Sequence, residues 1–113
     1  MEHVKSGTLR ALAVTGSKRL DDLPDIPAVA EFLPGYEASS WFGICAPKGT
    51  PNEIVVRLNQ EINAAMADPK FKSRIAELGA STLPGSPADF GKHIAAEIGK
   101  WGKVIRTANI KPD

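Results

Sequence analysis

The last helical segment of the sequence carries six large apolar side chains on one stripe, which must be covered by other parts of a fold. Ser86-Pro87-Ala88-Asp89 provides the start signal of this helix, because a serine N-cap, a proline at the first helical position and a nearby carboxylate are favoured there. The stripe consists of Phe90, Ile94, Ile98, Trp101, Val104 and Ile105. Their full burial contributes roughly 10 kcal/mol or more before conformational entropy is subtracted. The stripe therefore requires a packing surface of matching size.

Three short segments are predicted to be the strands that provide such a surface. Residues 9–15 form an apolar run that stops at Gly16, which favours a buried strand. Residues 39–46 are apolar on both faces, as in a strand of a sheet that is covered on both sides. Residues 80–83 are predicted as a third, shorter strand. Together these strands provide only a narrow sheet.

Two further helices are predicted between the second and third strands. Thr50-Pro51-Asn52-Glu53 offers an N-cap, a proline and a carboxylate in the capping-box pattern, and Asp68-Pro69 starts the next helix, which ends at Gly79. A short helix is also predicted at 28–33. Interleaved strands and helices indicate an α/β chain. Because the sheet is narrow for its helices, the natural fold is expected to contain more strands than this chain supplies.

Composition and charge exclude several classes of protein. The 113 residues include 14 Lys and Arg against 13 Asp and Glu, so the net charge of +1 does not indicate a nucleic-acid binder. No apolar run reaches the ~18–20 residues that span a bilayer. Met1 is followed by Glu-His-Val-Lys rather than by a basic and then apolar leader. Either the protein stays in the cytoplasm, or the chain begins partway through a longer one.

The residue types that carry enzymatic or metal chemistry are scattered along the sequence. His3 and His93 are 90 positions apart, and Cys45 is distant from both, so no metal-ligand cluster is indicated. Cys45 lies in an apolar strand and is interpreted as a buried small side chain rather than as a reactive thiol. Lys48-Gly49-Thr50 lacks the upstream glycine of a phosphate-binding loop. The sequence therefore predicts no enzyme, no cofactor and no metal site.

Three features allow both a binding role and a purely structural one. The helix starting near Thr50 presents N–H groups that suit an anion, but plain capping explains the same residues. The acidic loop 21–25 lacks the spacing of a calcium site and is interpreted as a solvated loop. Trp41 and Phe42 follow a serine pair and either line a cleft or pack in the core.

A series of short motifs runs in order through nearly the whole sequence, from about Val4 to Lys111. The motifs include Gly7 to Gly16, Leu23-Pro24-Asp25-Ile26-Pro27, Ala30-Glu31, Pro34-Gly35-Tyr36-Glu37, Ser40-Trp41-Phe42-Gly43, Ala46-Pro47, Gly49-Thr50-Pro51, Leu58-Asn59, Leu78-Gly79-Ala80, Phe90 and Glu97-Ile98-Gly99-Lys100-Trp101. In order and spacing, this series resembles the tripartite tricarboxylate transporter receptors, often called Bug receptors.

The resemblance implies a fold and a division of the chain. The family has two domains in the type II periplasmic-binding-protein fold, an α/β fold, and this chain resembles its C-terminal portion, with a few strands and three longer helices. Residues 1–16 are then expected to supply the last strand of the family's second domain. Residues 17–40 are expected to form an interdomain crossing loop with a short helix, and residues 41–113 the C-terminal part of the first domain.

The resemblance also implies a function. Such receptors capture a small carboxylate or amino acid in the periplasm and pass it to the permease subunits of a membrane transporter. The residues here that would face the ligand are Asp25, Ile26, Pro27, Ala28, Ser40 and Trp41. Family members commonly carry threonine where Ala28 stands, so a hydroxyl that could bind a carboxylate or a bridging water is absent from this chain. Backbone N–H groups need no particular side chain to serve instead.

A second hypothesis belongs to a different functional class. A chain with an incomplete sheet and uncovered helix faces is expected to pair with a copy of itself, because exchanged or shared elements are a low-cost route to dimers. In this interpretation the protein is a truncated, self-associating α/β scaffold, a homodimer without ligand-binding activity of its own.

Overall fold

The computed structural model describes residues 2–111 and contains three longer helices, as predicted. Met1 and residues 112–113, at the ends of the predicted domain ranges, lie outside the described residues. The helices and one short 3₁₀ turn are α1 (Glu2–Lys5), the 3₁₀ turn (Val29–Glu31), α2 (Asn52–Ala67), α3 (Pro69–Glu77) and α4 (Pro87–Thr107). None of the described helices is both long and apolar enough to cross a bilayer.

The start of α4 shows the capping pattern that the sequence predicts. The Asp89 amide donates to Ser86 Oγ at 3.1 Å, and Asp89 Oδ2 accepts from the Ser86 amide at 3.1 Å. Asp68 caps α3 in a similar way, because its Oδ1 accepts from the amides of Lys70 and Phe71. These side chains satisfy N–H groups that the first helical turn leaves without partners.

The end of α3 is confirmed at Gly79. This glycine has a φ of 76°, a left-handed conformation that glycine adopts without a steric penalty. Its amide donates to the Ala76 carbonyl at 2.8 Å, and the Ala80 amide donates to the Ile75 carbonyl at 3.2 Å. This pair of hydrogen bonds is the Schellman motif, which closes the last turn of a helix.

The capping box predicted at Thr50 is wrong. Helix α2 begins at Asn52, and the Thr50 hydroxyl donates back to the Pro47 carbonyl at 2.9 Å. The Thr50 amide also donates to Pro47, at 3.2 Å. Thr50 therefore closes a turn ahead of helix α2, which begins two residues later.

The predicted strands are not formed in residues 2–111. Segments 9–15, 39–46 and 80–83 contain no strand ladder, and the described pairing is one isolated parallel bridge between Val14 and Ala28. The α/β expectation is therefore corrected for this chain, whose regular structure is helical. A strand persists only where neighbouring strands accept its backbone hydrogen bonds, and that requirement is not met within these residues.

Most large apolar side chains are exposed. Among the described residues only Ala28 is buried, and on the α4 stripe Ile98 remains 69% exposed. Cys45 is also exposed, which overturns its interpretation as a buried side chain because the segment around it pairs with no sheet. The apolar residues thus have the spacing of a hydrophobic core, but the described part of the chain does not bury them.

The chain divides into two compact units. One consists of Met1–Ile44 and Ala64–Leu83, and the other of Cys45–Asn63 and Pro84–Asp113. In the second unit, Asn59 and Asn63, one turn apart on α2, both donate to the Gly85 carbonyl, at 2.8 and 3.0 Å. The Gly85 amide donates back to Asn63 Oδ1 at 3.2 Å. These side chains fix the turn that precedes α4.

Candidate ligand-binding segment

Two adjacent residues of the first unit anchor both of the segments that were predicted to face a ligand. The Val14 amide donates to the Pro27 carbonyl, and the Val14 carbonyl accepts from the Val29 amide, each at 2.9 Å. The Thr15 carbonyl accepts from the Ala38 amide at 2.9 Å. The loop that contains Pro27 and the segment that follows Ala38 are therefore attached side by side to the same short stretch of backbone.

An arginine–glutamate pair closes the loop. Arg19 donates from Nε to Glu31 Oε1 and from Nη2 to Glu31 Oε2, both at 2.7 Å, so the ion pair is bidentate. Arg19 Nη1 donates to the Pro24 carbonyl at 2.8 Å. The Ala28 amide donates to Glu31 Oε1 at 2.8 Å. The pair thus binds the loop on both sides of residues 25–27.

The same contacts shift the acid–base equilibria of both side chains. Hydrogen bonds from the Arg19 guanidinium, and then from the Ala28 amide, lower the pKa of the Glu31 carboxyl from 4.5 to about 2. The hydrogen bond to Glu31 is likewise the main cause that raises the pKa of Arg19, with a smaller contribution from the charge of Asp25. Glu31 is therefore a carboxylate throughout the physiological pH range.

We expect Glu31 to contribute stability in a defined pH window. Because its pKa is lower in the folded chain, the contribution is complete above about 4.5 and is lost as the pH falls toward 2. Glu31→Gln should lower the unfolding midpoint only slightly at pH 5, because exposed ion pairs contribute little to stability, and this small loss should vanish as the pH is lowered to about 2. Denaturant titrations across this range measure it, with Glu53→Gln on α2 as the control. A difference that stays constant with pH would contradict the assignment.

The first three predicted ligand residues lie in the loop that Arg19 and Glu31 close. Asp25 is exposed, whereas Ile26 and Pro27 are half-buried. The Ile26 amide donates to the Leu23 carbonyl at 3.0 Å, and the Pro27 carbonyl accepts from Val14. The Asp25 side chain is thus the polar group of this stretch that points toward solvent.

Ala28 has a structural role in the loop. Its residue surface is 1% exposed, its amide donates to Glu31, and its carbonyl accepts from the Glu31 amide at 3.0 Å. The expectation that the backbone N–H at this position is available to a ligand is therefore not met in this structure, because Glu31 occupies it. A ligand contact by Ala28 stays a prediction.

Ser40 and Trp41 follow the anchored residue Ala38. Ser40 is exposed, and Trp41 retains 39% of its surface. Trp41 therefore keeps an accessible aromatic surface beside a hydroxyl group, which suits a ligand with apolar and polar parts. Among residues 2–111 there is no cluster of three or more metal-ligating side chains.

Sequence reasoning missed the role of Arg19. Arg19 and Glu31 are 12 positions apart, and residues at this separation show no helical or strand periodicity that would predict their pairing. One signal was present: Glu31 stands three residues after Ala28, the spacing at which a glutamate reaches back to the N-cap amide of a helix. The structure shows this contact at the 3₁₀ turn Val29–Glu31.

The sequence profile described as "Tripartite tricarboxylate transporter family receptor" matches residues 1–110. The chain belongs to this family. Protein BugT of Bordetella pertussis is 39% identical over 112 residues, which are 98% of this chain and 34% of BugT. A UPF0065 protein of Pseudomonas sp. strain P51 is 40% identical over 106 residues, 92% of this chain and 32% of that protein. The chain spans about a third of the length of these relatives.

Solved structures of the same class share the path of the chain. The structure described as R. palustris Rpa4515 with adipate is 42% identical, with a TM-score of 0.82 over 99% of this chain and 38% of that one. The periplasmic binding protein BugD is 34% identical, with a TM-score of 0.80 and the same coverage. The chain therefore folds as a fragment of a periplasmic binding protein. Its family consists of transport receptors, which are not a class of enzymes.

Proposed function

We propose that this chain forms one side of the ligand cleft of a periplasmic receptor, which captures a small carboxylate or amino acid for a tripartite transporter. The observation that carries the proposal is the likeness over 99% of the chain to Rpa4515, a structure that contains adipate. The remaining side of the cleft would come from sequence that corresponds to the other part of the relatives. The permease subunits of the transporter would be the receptor's partners.

The proposed ligand contacts lie in the two segments that are hydrogen-bonded to Val14 and Thr15. The candidates for ligand contact are Asp25, Ile26, Pro27, Ala28, Ser40 and Trp41. Arg19 is engaged by Glu31, so a bound carboxylate would be recognised by neutral donors such as the Ser40 hydroxyl and by bridging water rather than by that cation. The exposed carboxylate of Asp25 suits a donor on the ligand, such as the ammonium group of an amino acid.

We also propose the division of the chain that the resemblance implies. Residues 1–16 would belong to the second domain of the receptor and residues 41–113 to its first domain, with residues 17–40 crossing between them. Closure of two domains around a ligand is the usual motion of periplasmic binding proteins. The Val14-to-Pro27 hydrogen bond supports a role for the crossing segment as part of the cleft wall.

A chimera tests the proposed function directly. The chain replaces the matching 38% of Rpa4515, and the purified chimera is titrated calorimetrically with adipate, citrate, malate and glutamate. We expect saturable binding of at least one of these acids in the micromolar range. Unaltered Rpa4515 serves as the positive control. A folded chimera that binds none of the four would overturn the proposal.

A second candidate function is the self-associating scaffold, possessing no ligand site of its own. The exposure of large apolar side chains such as Phe42 and Ile98 favours it, because apolar patches of this kind mark association surfaces. The two proposals differ in what covers these side chains: the remainder of a receptor in one, and a second copy of the chain in the other.

A further inference from the structure

The loop of residues 25–27 is held at both ends by one ion pair. We propose that Arg19 and Glu31 are positioning residues, which set the shape of this loop for the ligand without touching the ligand. This inference rests on the proposed function, because it assigns a role to residues behind the same candidate cleft. Its observations are the contacts of the pair with Pro24 on one side and with Ala28 on the other.

The entry to the loop is fixed by the shape of the guanidinium group. Two of its nitrogens are used by the Glu31 carboxylate, and the third, Nη1, donates to the Pro24 carbonyl at 2.8 Å. A planar fork with several donors can make these contacts at once, whereas a lysine ammonium is a single point charge. Arg19 therefore couples the position of Pro24 to that of Glu31.

The exit from the loop is fixed by the other partner. Glu31 Oε1 accepts from both Arg19 and the Ala28 amide, so one oxygen atom joins the ion pair to the backbone. Ala28 is the one buried residue among those described, and the Val14 hydrogen bond to Pro27 lies directly beside it. The exit therefore has little freedom to shift while the pair is intact.

The consequence is a preorganised loop. With Pro24 and Ala28 held by the same pair, the backbone between them has few alternative conformations. A ligand that binds only one conformation gains apparent affinity in proportion to the population of that conformation. Arg19 and Glu31 are each more than a third exposed, and exposed ion pairs contribute little to global stability. Their main effect should therefore appear in ligand binding rather than in the unfolding midpoint.

The test uses conservative variants of the chimera. Arg19→Lys keeps the charge but cannot hold Glu31 and Pro24 together, and Glu31→Gln keeps an acceptor for Ala28 but loses the ion pair. We expect each to weaken carboxylate binding by roughly tenfold, mainly through faster dissociation, with little change in the thermal midpoint. Unchanged affinity in both variants would overturn the proposal.

A charge exchange separates positioning from simple ion pairing. Arg19→Glu combined with Glu31→Arg retains an ion pair, but position 19 can no longer donate to Pro24 and position 31 can no longer accept from Ala28. We expect the affinity to stay low in this double variant, whereas full recovery would show that the ion pair alone matters. The matched control is Arg74→Lys with Glu77→Gln, which changes another exposed pair, on α3, and should leave binding intact.

A measurement without ligand keeps this inference distinct from the proposed function. In the chimera, we expect amide hydrogen exchange at Ala28 to be roughly tenfold faster in Arg19→Lys than in the parent. An unchanged exchange rate would overturn the proposal that Arg19 and Glu31 fix the shape of the loop. If the parent chimera binds no carboxylate, the proposed function fails, and the exchange rate still decides whether the ion pair sets the shape of the loop.

Discussion

The isolated chain is expected to bind whichever acid the chimera with Rpa4515 binds at least about a hundredfold more weakly than the chimera does. Small-molecule sites bury most of the ligand surface between opposing walls, and this chain spans 38% of the receptor that it resembles. Loss of the opposing wall removes direct contacts and also the domain closure that excludes water. Calorimetric titration with adipate, citrate, malate, glutamate and aromatic acids measures the difference.

The titration needs a control for folding, because an unfolded chain would also fail to bind. Helix α4 provides it: Ser86 and Asp89 cap its start, so its circular dichroism signal should persist in the isolated chain. Micromolar binding by a chain that keeps this signal would show that the other side of the cleft is not required. In that case the ligand site would be contained within these residues.

The helices could be predicted from sequence because their signals are local. The caps at Ser86 and Asp68 and the stop at Gly79 each involve residues within a few positions of one another, and the structure confirms all three. The capping box predicted at Thr50 is not formed, and the Thr50 amide and hydroxyl instead donate to the Pro47 carbonyl and close a turn.

Strands and the candidate site depend on distant residues, and here the sequence was less informative. The apolar run 9–15 has the composition of a buried strand, yet only Val14 makes a bridge, because a strand also needs neighbours of its own. Family resemblance indicated the loop around Pro27, but the Arg19–Glu31 pair that holds the loop joins residues 12 positions apart. Pairings of this kind become visible only when the backbone path is known.

Phe42→Ala is expected to destabilise the chimera by about 3–5 kcal/mol, the usual cost of removing a buried phenylalanine. Phe42 lies in a segment that is apolar on both faces, yet its side chain is 99% exposed in this chain. The sequence around Phe42 is typical of a buried strand, yet its side chain is exposed here. Both observations are explained if the rest of the receptor covers the residue. In the isolated chain the same substitution should change the unfolding free energy by less than about 0.5 kcal/mol.

The same variant distinguishes the receptor from the self-associating scaffold. If a second copy covers Phe42, the isolated chain should sediment as a concentration-dependent dimer, and Phe42→Ala should weaken that dimer while the chimera tolerates the change. If the remainder of the receptor covers Phe42, the substitution should destabilise the chimera and leave the association state of the isolated chain unchanged. Lys48→Ala, at a nearby exposed position, should change neither the dimerisation of the isolated chain nor the stability of the chimera. A chimera insensitive to Phe42→Ala would therefore contradict the placement of this segment inside the receptor, because an exposed phenylalanine has no cavity to leave behind.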